Sequence, residues 1–274
     1  MSVALKQAKC DEPTNSRHKP LVPAIEQASR VLFCLGESPA FKMRLTEICN
    51  QVGISKSRGH SVLNTLKQFE LVEQDNRTKT YSLGPALIFL SQRVLNNLSY
   101  PEIAAPFLET LAQETNGTTA FGLISGPHVL VVAKREGNQN IGFAVPLGHR
   151  FHITLGAHGK AIVAFMNEAD RQELLANNKL HFYGDTTRMD SRRLAADIAK
   201  CRNQGFAQDI GDVTPGVIVL STPVFGIGEK MVGCVILIGT FETGKIQKYG
   251  PKVACAAKQI SHKLGAKIEA IYPP

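Results

Sequence analysis

LTEICNQVGISKSRGHSVLNTLKQF, residues 45–69, carries two amphipathic runs joined at a single glycine. Leu45, Ile48, Cys49 and Val52 recur at spacings of three and four, which predicts a short helix with one apolar face. Gly53 follows, where a tight turn needs it. A second run extends from Ser55 to about Phe69 through Val62, Leu63, Leu66 and Phe69. Helix, glycine turn, helix is the outline of a helix-turn-helix. Upstream, Ile25, Ala28, Val31, Leu32 and Leu35 predict a first helix from Pro23, stopped by Gly36, Glu37, Ser38 and Pro39. Downstream, residues 71–83 bracket the turn formers Asp75 and Asn76 with apolar ends, a hairpin that makes the unit winged.

If Val62, Leu66 and Phe69 face the core, a 100° step per residue turns Ser57, His60, Ser61 and Asn64 outward, with Lys56 and Arg58 flanking them. A polar, donor-rich face early in the second helix suits base edges in a major groove. Lys56 and Arg58 suit phosphates, and the hairpin tip offers Asn76, Arg77 and Lys79 to the backbone or minor groove. On the helix alone, an ordinary solvated face is the plainer reading; the basic hairpin that follows favours DNA. Gly59 lies inside this helix at a cost of ~1 kcal/mol relative to Ala. Close helix approach and weak local helicity both account for it.

The rest of the composition is consistent with this. The 274 residues exceed one usual domain and suggest two. With 43% hydrophobic and 20% charged residues the chain can build real cores. The net charge is +8; residues 1–98 hold 13 Lys and Arg against 8 Asp and Glu, so the excess concentrates in the shorter part. A basic small domain points to a polyanion partner. Residues 1–20 lack apolar periodicity and read as a disordered tail without a secretory apolar core, and no apolar run reaches a membrane span of ~18 residues. The six scattered cysteines form no CxxC pair and read as reduced, mostly buried thiols of a cytoplasmic protein.

After the hairpin, Leu87, Leu90, Val94, Leu95 and Leu98 make an apolar stripe on a helix over 85–98. Nothing in a short winged domain needs it, so a second subunit is its expected partner. A further helix from Pro101 stops at Asn116-Gly117. Of the chain's 23 glycines, 19 lie after residue 98, which suits strands and tight turns. Strands are expected at 118–124, 128–134, 141–145, 217–224 and 232–240, and helices at 156–166, from Asn167 as N-cap, at 190–203 and from Val253 to Ile268. The fold class is α+β with one mainly antiparallel sheet.

These segments carry a resemblance. AIEQASRVL, LTEICNQVGISKSRGHSVLNTL, FELVEQDNRTKTYSLGPAL, LGAHGKAIVAF, TPGVIVLSTPVF and VGCVILIG, in this order and spacing, resemble the IclR family of bacterial transcription regulators from about Leu21 to Ile271. The resemblance implies a winged helix-turn-helix domain at 21–84, a linker helix at 85–99 and a GAF-like effector-binding domain at 100–274. It also implies homodimers, often paired into homotetramers, on palindromic double-stranded operator DNA. Gln27, Arg58, Gly59 and Ser61 depart from residues the family often carries, so the operator read here should differ from a generic one.

The resemblance further implies a small-molecule effector on the cupped face of the second domain's sheet, at Gly156, Ala157, Asp209, Val219, Ile236 and Ile238. The residues agree in part: Gly156-Ala157-His158-Gly159-Lys160 is a glycine-rich turn entering a helix, where N–H groups can meet an anion. It is not a P-loop, which would need Gly at Thr154 and Ser or Thr at Ala161. Tight helix–sheet packing explains the same glycines equally well. Val219, Ile236 and Ile238 are apolar where regulators of small polar acids tend to carry Cys and Ser, which favours a largely apolar organic acid; plain sheet core is the alternative. His149 and His152, at i and i+3 in an expected loop, and His158 have no acidic or cysteine ligand nearby in sequence, so neither a metal site nor a cofactor is expected. No GxSxG, HExxH or GxGxxG occurs, and no catalytic residue is assigned. The expected function is a ligand-modulated, DNA-binding repressor or activator. A small-molecule-processing enzyme with a helical accessory domain and an effector-independent DNA-binding protein are the rivals.

Overall fold

A computed structural model describes residues 22–97, 99–137, 145–176, 179–267 and 271–272. The chain divides into two compact units, one ending at Leu98 and the other running from Ser99. The tail at 1–20 and most of the strand expected at 141–145 lie outside the described residues. Val145, the one described residue of that stretch, is buried in a loop.

In the first unit, helix α1 spans Pro23–Glu37, with proline in its first turn where no N–H is missed. Strand β1 (Met43–Arg44) leads directly into α2 (Leu45–Val52), whose entry is fixed by the Arg44 N–H donating to the Glu47 carboxylate at 2.6 Å. Gly53 caps α2 in the left-handed region at φ 74° and donates to the Cys49 carbonyl at 2.9 Å. Ser55 then caps α3 (Lys56–Gln68) by accepting the Arg58 N–H. Strands β2 (Val72–Gln74) and β3 (Thr80–Leu83) form the wing, and β1 adds antiparallel to β3, giving the order β1-β3-β2. The core joins Val31, Leu35, Ile48, Val52, Leu63, Leu66, Val72 and Tyr81.

The buried row of α3 is Gly59, Leu63 and Leu66; of the expected Val62, Leu66 and Phe69, Leu66 lies in it, Val62 packs half-buried against the same core and Phe69 does not. The helix ends at Gln68, so Phe69 is its C-cap and stands 67% exposed. Gly59 is explained by close approach: a Cβ there would lie 2.3 Å from Cys49 Sγ on α2. Helix α4 (Ala86–Asn97) completes the unit. Ile88, Phe89, Leu90 and Val94 stand exposed on it, and Leu87 is half-buried. The side chains of Leu95 and Leu98 fall outside the description.

The second unit opens with α5 (Tyr100–Thr115), closed by Asn116 in the left-handed region. Its sheet is entirely antiparallel, in the order β6-β5-β4-β9-β8-β7. The strands are β4 (Thr118–Ser125), β5 (His128–Arg135), β6 (Arg150–His152), β7 (Ala207–Ile210), β8 (Ile218–Phe225) and β9 (Met231–Gly239). His152 thus lies in a strand where a loop is expected, while His149 lies in the loop just before it. Helices α6 (Gly156–Phe165), α7 (Glu168–Leu175) and α8 (Ser191–Gln204) intervene between β6 and β7, and α9 (Ile246–Lys263) follows β9. Asn167 caps α7 by accepting the Asp170 N–H at 2.9 Å.

Alternation along the strands sorts the sheet into two faces. Phe121, Leu220, Val235 and Leu237 pack with α5 and α9 through Leu108, Val253, Ala257 and Ile260. Ala120, Val129, Val131, Cys234, Ile236 and Ile238 turn the other way, toward Ile162 of α6. Helix α6 is buried from Gly156 through Ala164, as a helix packed on every side must be. Of the described cysteines, Cys34, Cys49, Cys201 and Cys234 are buried and Cys255 is exposed; all are free thiols.

The contact between α2 and α3 generates a prediction. Gly59→Ala should lower the melting temperature despite the ~1 kcal/mol gain in helix propensity, because overpacking costs about 1–3 kcal/mol. Cys49→Ala in the same chain should restore most of the loss. A melting temperature unchanged by Gly59→Ala would mean that the helices part without cost.

Candidate functional site

Every sequence-assigned DNA residue is exposed. Lys56, Ser57, Arg58, His60, Ser61 and Asn64 line the outer side of α3, opposite its buried row. Local bonds order this face. Asn64 Nδ2 and His60 Nδ1 lie 3.2 Å apart, and Ser57 Oγ lies 3.3 Å from Ser55 Oγ. Ser61 Oγ donates to the Ser57 carbonyl at 3.1 Å, which leaves its lone pairs turned outward. Asn76, Arg77 and Lys79 are exposed in the loop between β2 and β3. Asp75 shapes that loop by accepting the N–H groups of Arg77 and Thr78 at 2.9 and 3.1 Å, and these bonds hold its carboxyl below the usual range. Lys67 Nζ donates to Gln74 Oε1 at 3.0 Å, tying the end of α3 to the wing. Sequence reasoning missed this tie, since it joins residues on different elements.

In the second unit, cross-strand register places Asp209, Val219 and Ile238 side by side on β7, β8 and β9, with Thr118 of β4 next in the row. Ile236 lies two residues along, opposite Ser221 and Ala120 on the same face. Ile236 and Ile238 are buried in the core beneath α6, and Val219 is half-buried. Gly156 opens α6 at φ 50°, a conformation that favours glycine, and a Cβ there would lie 3.1 Å from Asp209 Oδ2 and 3.0 Å from Val213 Cγ2. The geometry therefore brings Gly156 and Ala157 of α6 over the strand row that carries Asp209.

Asp209 is 2% exposed. Its Oδ1 accepts the Asp212 N–H at 3.0 Å, while Oδ2 has no hydrogen-bond partner among the described residues. Burial raises its carboxyl above the usual range, and Lys160 opposes that rise. Thr214 Oγ1, in the loop between β7 and β8, is likewise buried without a partner. At the α6 N-terminus, Leu155 supplies no side-chain cap, and the Gly156 N–H reaches the His181 carbonyl at 3.4 Å.

Beneath this site lies a charged cluster that sequence reasoning did not find. Lys160, one turn beyond Gly156, is 2% exposed. Its ammonium meets Asp197 Oδ2 on α8 at 3.0 Å, donates to the Gln208 carbonyl at 3.3 Å and lies 3.9 Å from Asp212 Oδ2. It also stands 4.4 Å from the Tyr183 ring centroid, whose hydroxyl donates to Asp197 at 3.0 Å. Arg193 grips Asp212 with two bonds of 3.0 and 2.6 Å and covers the other side of the cluster at the same ring.

The histidines gather at the α6 entry. The His152 ring lies 4.8 Å from His181 and 6.3 Å from His128, and its Nδ1 is 2.8 Å from Thr154 Oγ1. His158 is buried, bonds the His152 carbonyl at 3.2 Å, and burial pushes it down to about 4. Among the described residues no group of three His, Cys, Asp or Glu side chains is disposed to hold a metal ion. No helix of the described residues is long and apolar enough to cross a membrane.

Known proteins share this arrangement. The model of the bacterial transcriptional regulator IclR C-terminal domain matches residues 92–262, and that of the IclR helix-turn-helix domain matches residues 24–76. The regulator BhcR of Paracoccus denitrificans (strain Pd 1222) is 27% identical over 250 residues, covering 91% of this chain and 85% of the relative. XynR of Escherichia coli (strain K12) is 24% identical over 249 residues, covering 90% and 98%. The solved IclR transcriptional regulator from Alicyclobacillus acidocaldarius superposes with a TM-score of 0.77 at 23% identity, covering 89% of this chain and 99% of that one. An IclR homolog from Microbacterium hydrocarbonoxydans, complexed with 4-hydroxybenzoate, gives 0.73 at 17% identity, covering 89% and 100%. At such identities these two structures bear on the fold alone. With both of its units matched in order, the chain belongs to the IclR family of DNA-binding bacterial transcriptional regulators.

Proposed function

We propose that the chain is a sequence-specific regulator whose operator affinity is set by a small, largely apolar organic acid. In this reading Ser57, His60, Ser61 and Asn64 meet bases, and Lys56, Arg58, Asn76, Arg77 and Lys79 meet phosphates or the minor groove. Gly156, Ala157, Asp209, Val219, Ile236 and Ile238 receive the acid. The chain acts as a homodimer, or a pair of dimers, on a palindromic operator. The observation that carries the effector half is Asp209 Oδ2, a buried carboxyl oxygen without a partner beside the bare Cα of Gly156. A buried polar atom left unpaired costs free energy that a ligand can recover.

The chemistry of the site narrows the ligand. First-turn N–H groups of α6 favour a carboxylate. The row of Val219, Ile236 and Ile238 favours a ring or branched body, worth ~25 cal/mol per Å² of apolar surface covered. Asp209 Oδ2 favours a hydroxyl donor. The 4-hydroxybenzoate held by the Microbacterium relative combines these three features. Because Ile236 and Ile238 are buried beneath α6, the acid reaches them by parting α6 from the sheet. That movement is a route by which binding could favour one state of the protein over another.

Three outcomes test this reading. Asn64→Ala or His60→Ala should cost about 1–3 kcal/mol on the operator and relax base preference, measured by fluorescence anisotropy. Arg77→Ala or Lys79→Ala should instead weaken binding on every sequence and flatten the salt dependence. Helix variants that bind operator and random DNA like the wild type would refute this docking.

Leu90→Asp with Val94→Asp, on the exposed face of α4, should yield monomers in sedimentation and abolish binding to a palindrome. Dimers that persist would move the interface elsewhere.

Calorimetry should show 4-hydroxybenzoate binding at least about tenfold more tightly than glyoxylate, with Val219→Ser weakening it. Tight glyoxylate binding, indifferent to Val219→Ser, would contradict the apolar site. Independently, Asp209→Asn should raise the ligand-free melting temperature at pH 7, by about 2–4 °C for each kcal/mol relieved. A carboxyl raised in the folded state favours folding below its unfolded value and loses that contribution as pH rises. The advantage of Asn should therefore vanish toward pH ~4. Equal melting temperatures at pH 7 would mean that Asp209 bears no burial cost.

A further inference from the structure

A cavity of about 550 Å³ opens between α7 and α8, on residues distinct from those assigned to the effector. Its volume falls in the range of small-molecule sites, about 300–1,000 Å³. Leu180, Met189, Leu194 and Ile198 form an apolar floor, the outer side of a cluster whose inner members are Val163, Phe182 and Tyr183. Two guanidinium groups, Arg171 from α7 and Arg202 from the end of α8, also line it.

The charges in this wall are not balanced locally. The Arg171 side chain is 14% exposed and pairs with Glu168, itself 63% exposed and shared with Gln172 at 3.0 Å. Arg202 Nε donates to the Ala164 carbonyl at 2.5 Å, a neutral acceptor that orients the guanidinium without cancelling its charge. Loss of solvation, and then the Arg202 charge, lower Arg171 below the ordinary guanidinium value. Two like charges on an apolar floor, only one of them paired with a solvated carboxylate, form a receptor for an anion that carries its own apolar body. Neither a neutral hydrocarbon nor a compact polar anion uses both halves of this wall.

We infer that the α7–α8 cavity binds an amphipathic monocarboxylate, its carboxylate between Arg171 and Arg202 and its alkyl or aryl body on Leu180, Met189, Leu194 and Ile198. This site is separate from the one at Asp209. Helix α8 presents Leu194 and Ile198 to the cavity, while its Arg193 and Asp197 meet Asp212 and Lys160.

The test uses the full-length chain and decanoate, with decanol as the neutral control. Decanoate should bind saturably and decanol at least about tenfold more weakly, as loss of a charge-assisted contact requires. A diazirine-bearing decanoate should label peptides within residues 168–204. Arg171→Gln with Arg202→Gln should weaken decanoate by at least about tenfold at an unchanged circular-dichroism melt. If that double variant does not fold, Ala199→Trp on the exposed rim must block labelling while leaving the melt unchanged. Label on residues 231–239, equal affinity for decanol, binding unaffected by the double variant, or no saturable binding would each overturn the assignment. Label on 231–239 would further mean that decanoate occupies the Asp209 site, so the two sites are read separately.

Discussion

The ammonium of Lys160 is the contact on which the second unit's site depends. It is buried, and it joins four pieces of chain: α6 that carries it, Asp197 on α8, the Gln208 carbonyl on β7 and Asp212 in the following loop. Asp212 in turn donates its N–H to Asp209. The first turn of α6 and the carboxyl that faces it are thus held by one charged hub. Removing one partner of such a hub leaves uncompensated buried charge, which costs about 3–5 kcal/mol in comparable sites. The hub makes up this cost by having each charge met: Lys160 by two carboxylates, a carbonyl and a ring, and Asp212 by Arg193 in bidentate geometry.

Against this satisfied background the unsatisfied atoms stand out. Among the described residues Asp209 Oδ2 and Thr214 Oγ1 are buried without hydrogen-bond partners, within the strand and loop that Lys160 fixes. A fold that pairs a buried lysine so fully has the means to pair these atoms too. On the proposed reading, leaving them open trades stability for a binding site. Glycine at position 156 belongs to the same arrangement, since any side chain there would press on Asp209 Oδ2 and Val213.

The winged unit was legible because its signals are local. Helical spacing, the glycine at 53 and the turn chemistry at Asp75 each act within a few residues. The errors arose where tertiary contact decides. Strand β1 is two residues long and exists through pairing with Thr80 and Tyr81, while β6 and β7 have three and four residues, too few for alternation to show. Helical spacing alone puts Phe69 on the core face, but α3 ends at Gln68, and the buried row begins at Gly59. Asp209 entered through family resemblance alone. Lys160 was passed over because its partners stand 37 and more residues away. Its one local signal is weak: a lysine in a helix whose other residues, His158 aside, are small or apolar.

The α3 face and the Asp209 site belong to separate units, so regulation requires that the acid bind two states of the protein unequally. Quantitative footprinting of the full-length chain over the DNA upstream of its own gene, with and without 4-hydroxybenzoate, measures that difference directly. The account predicts a protected palindrome whose midpoint shifts about 5–150-fold with saturating acid. Protection that fails to distinguish this DNA from random sequence, or a midpoint that does not move with any acid bound at Asp209, would contradict it.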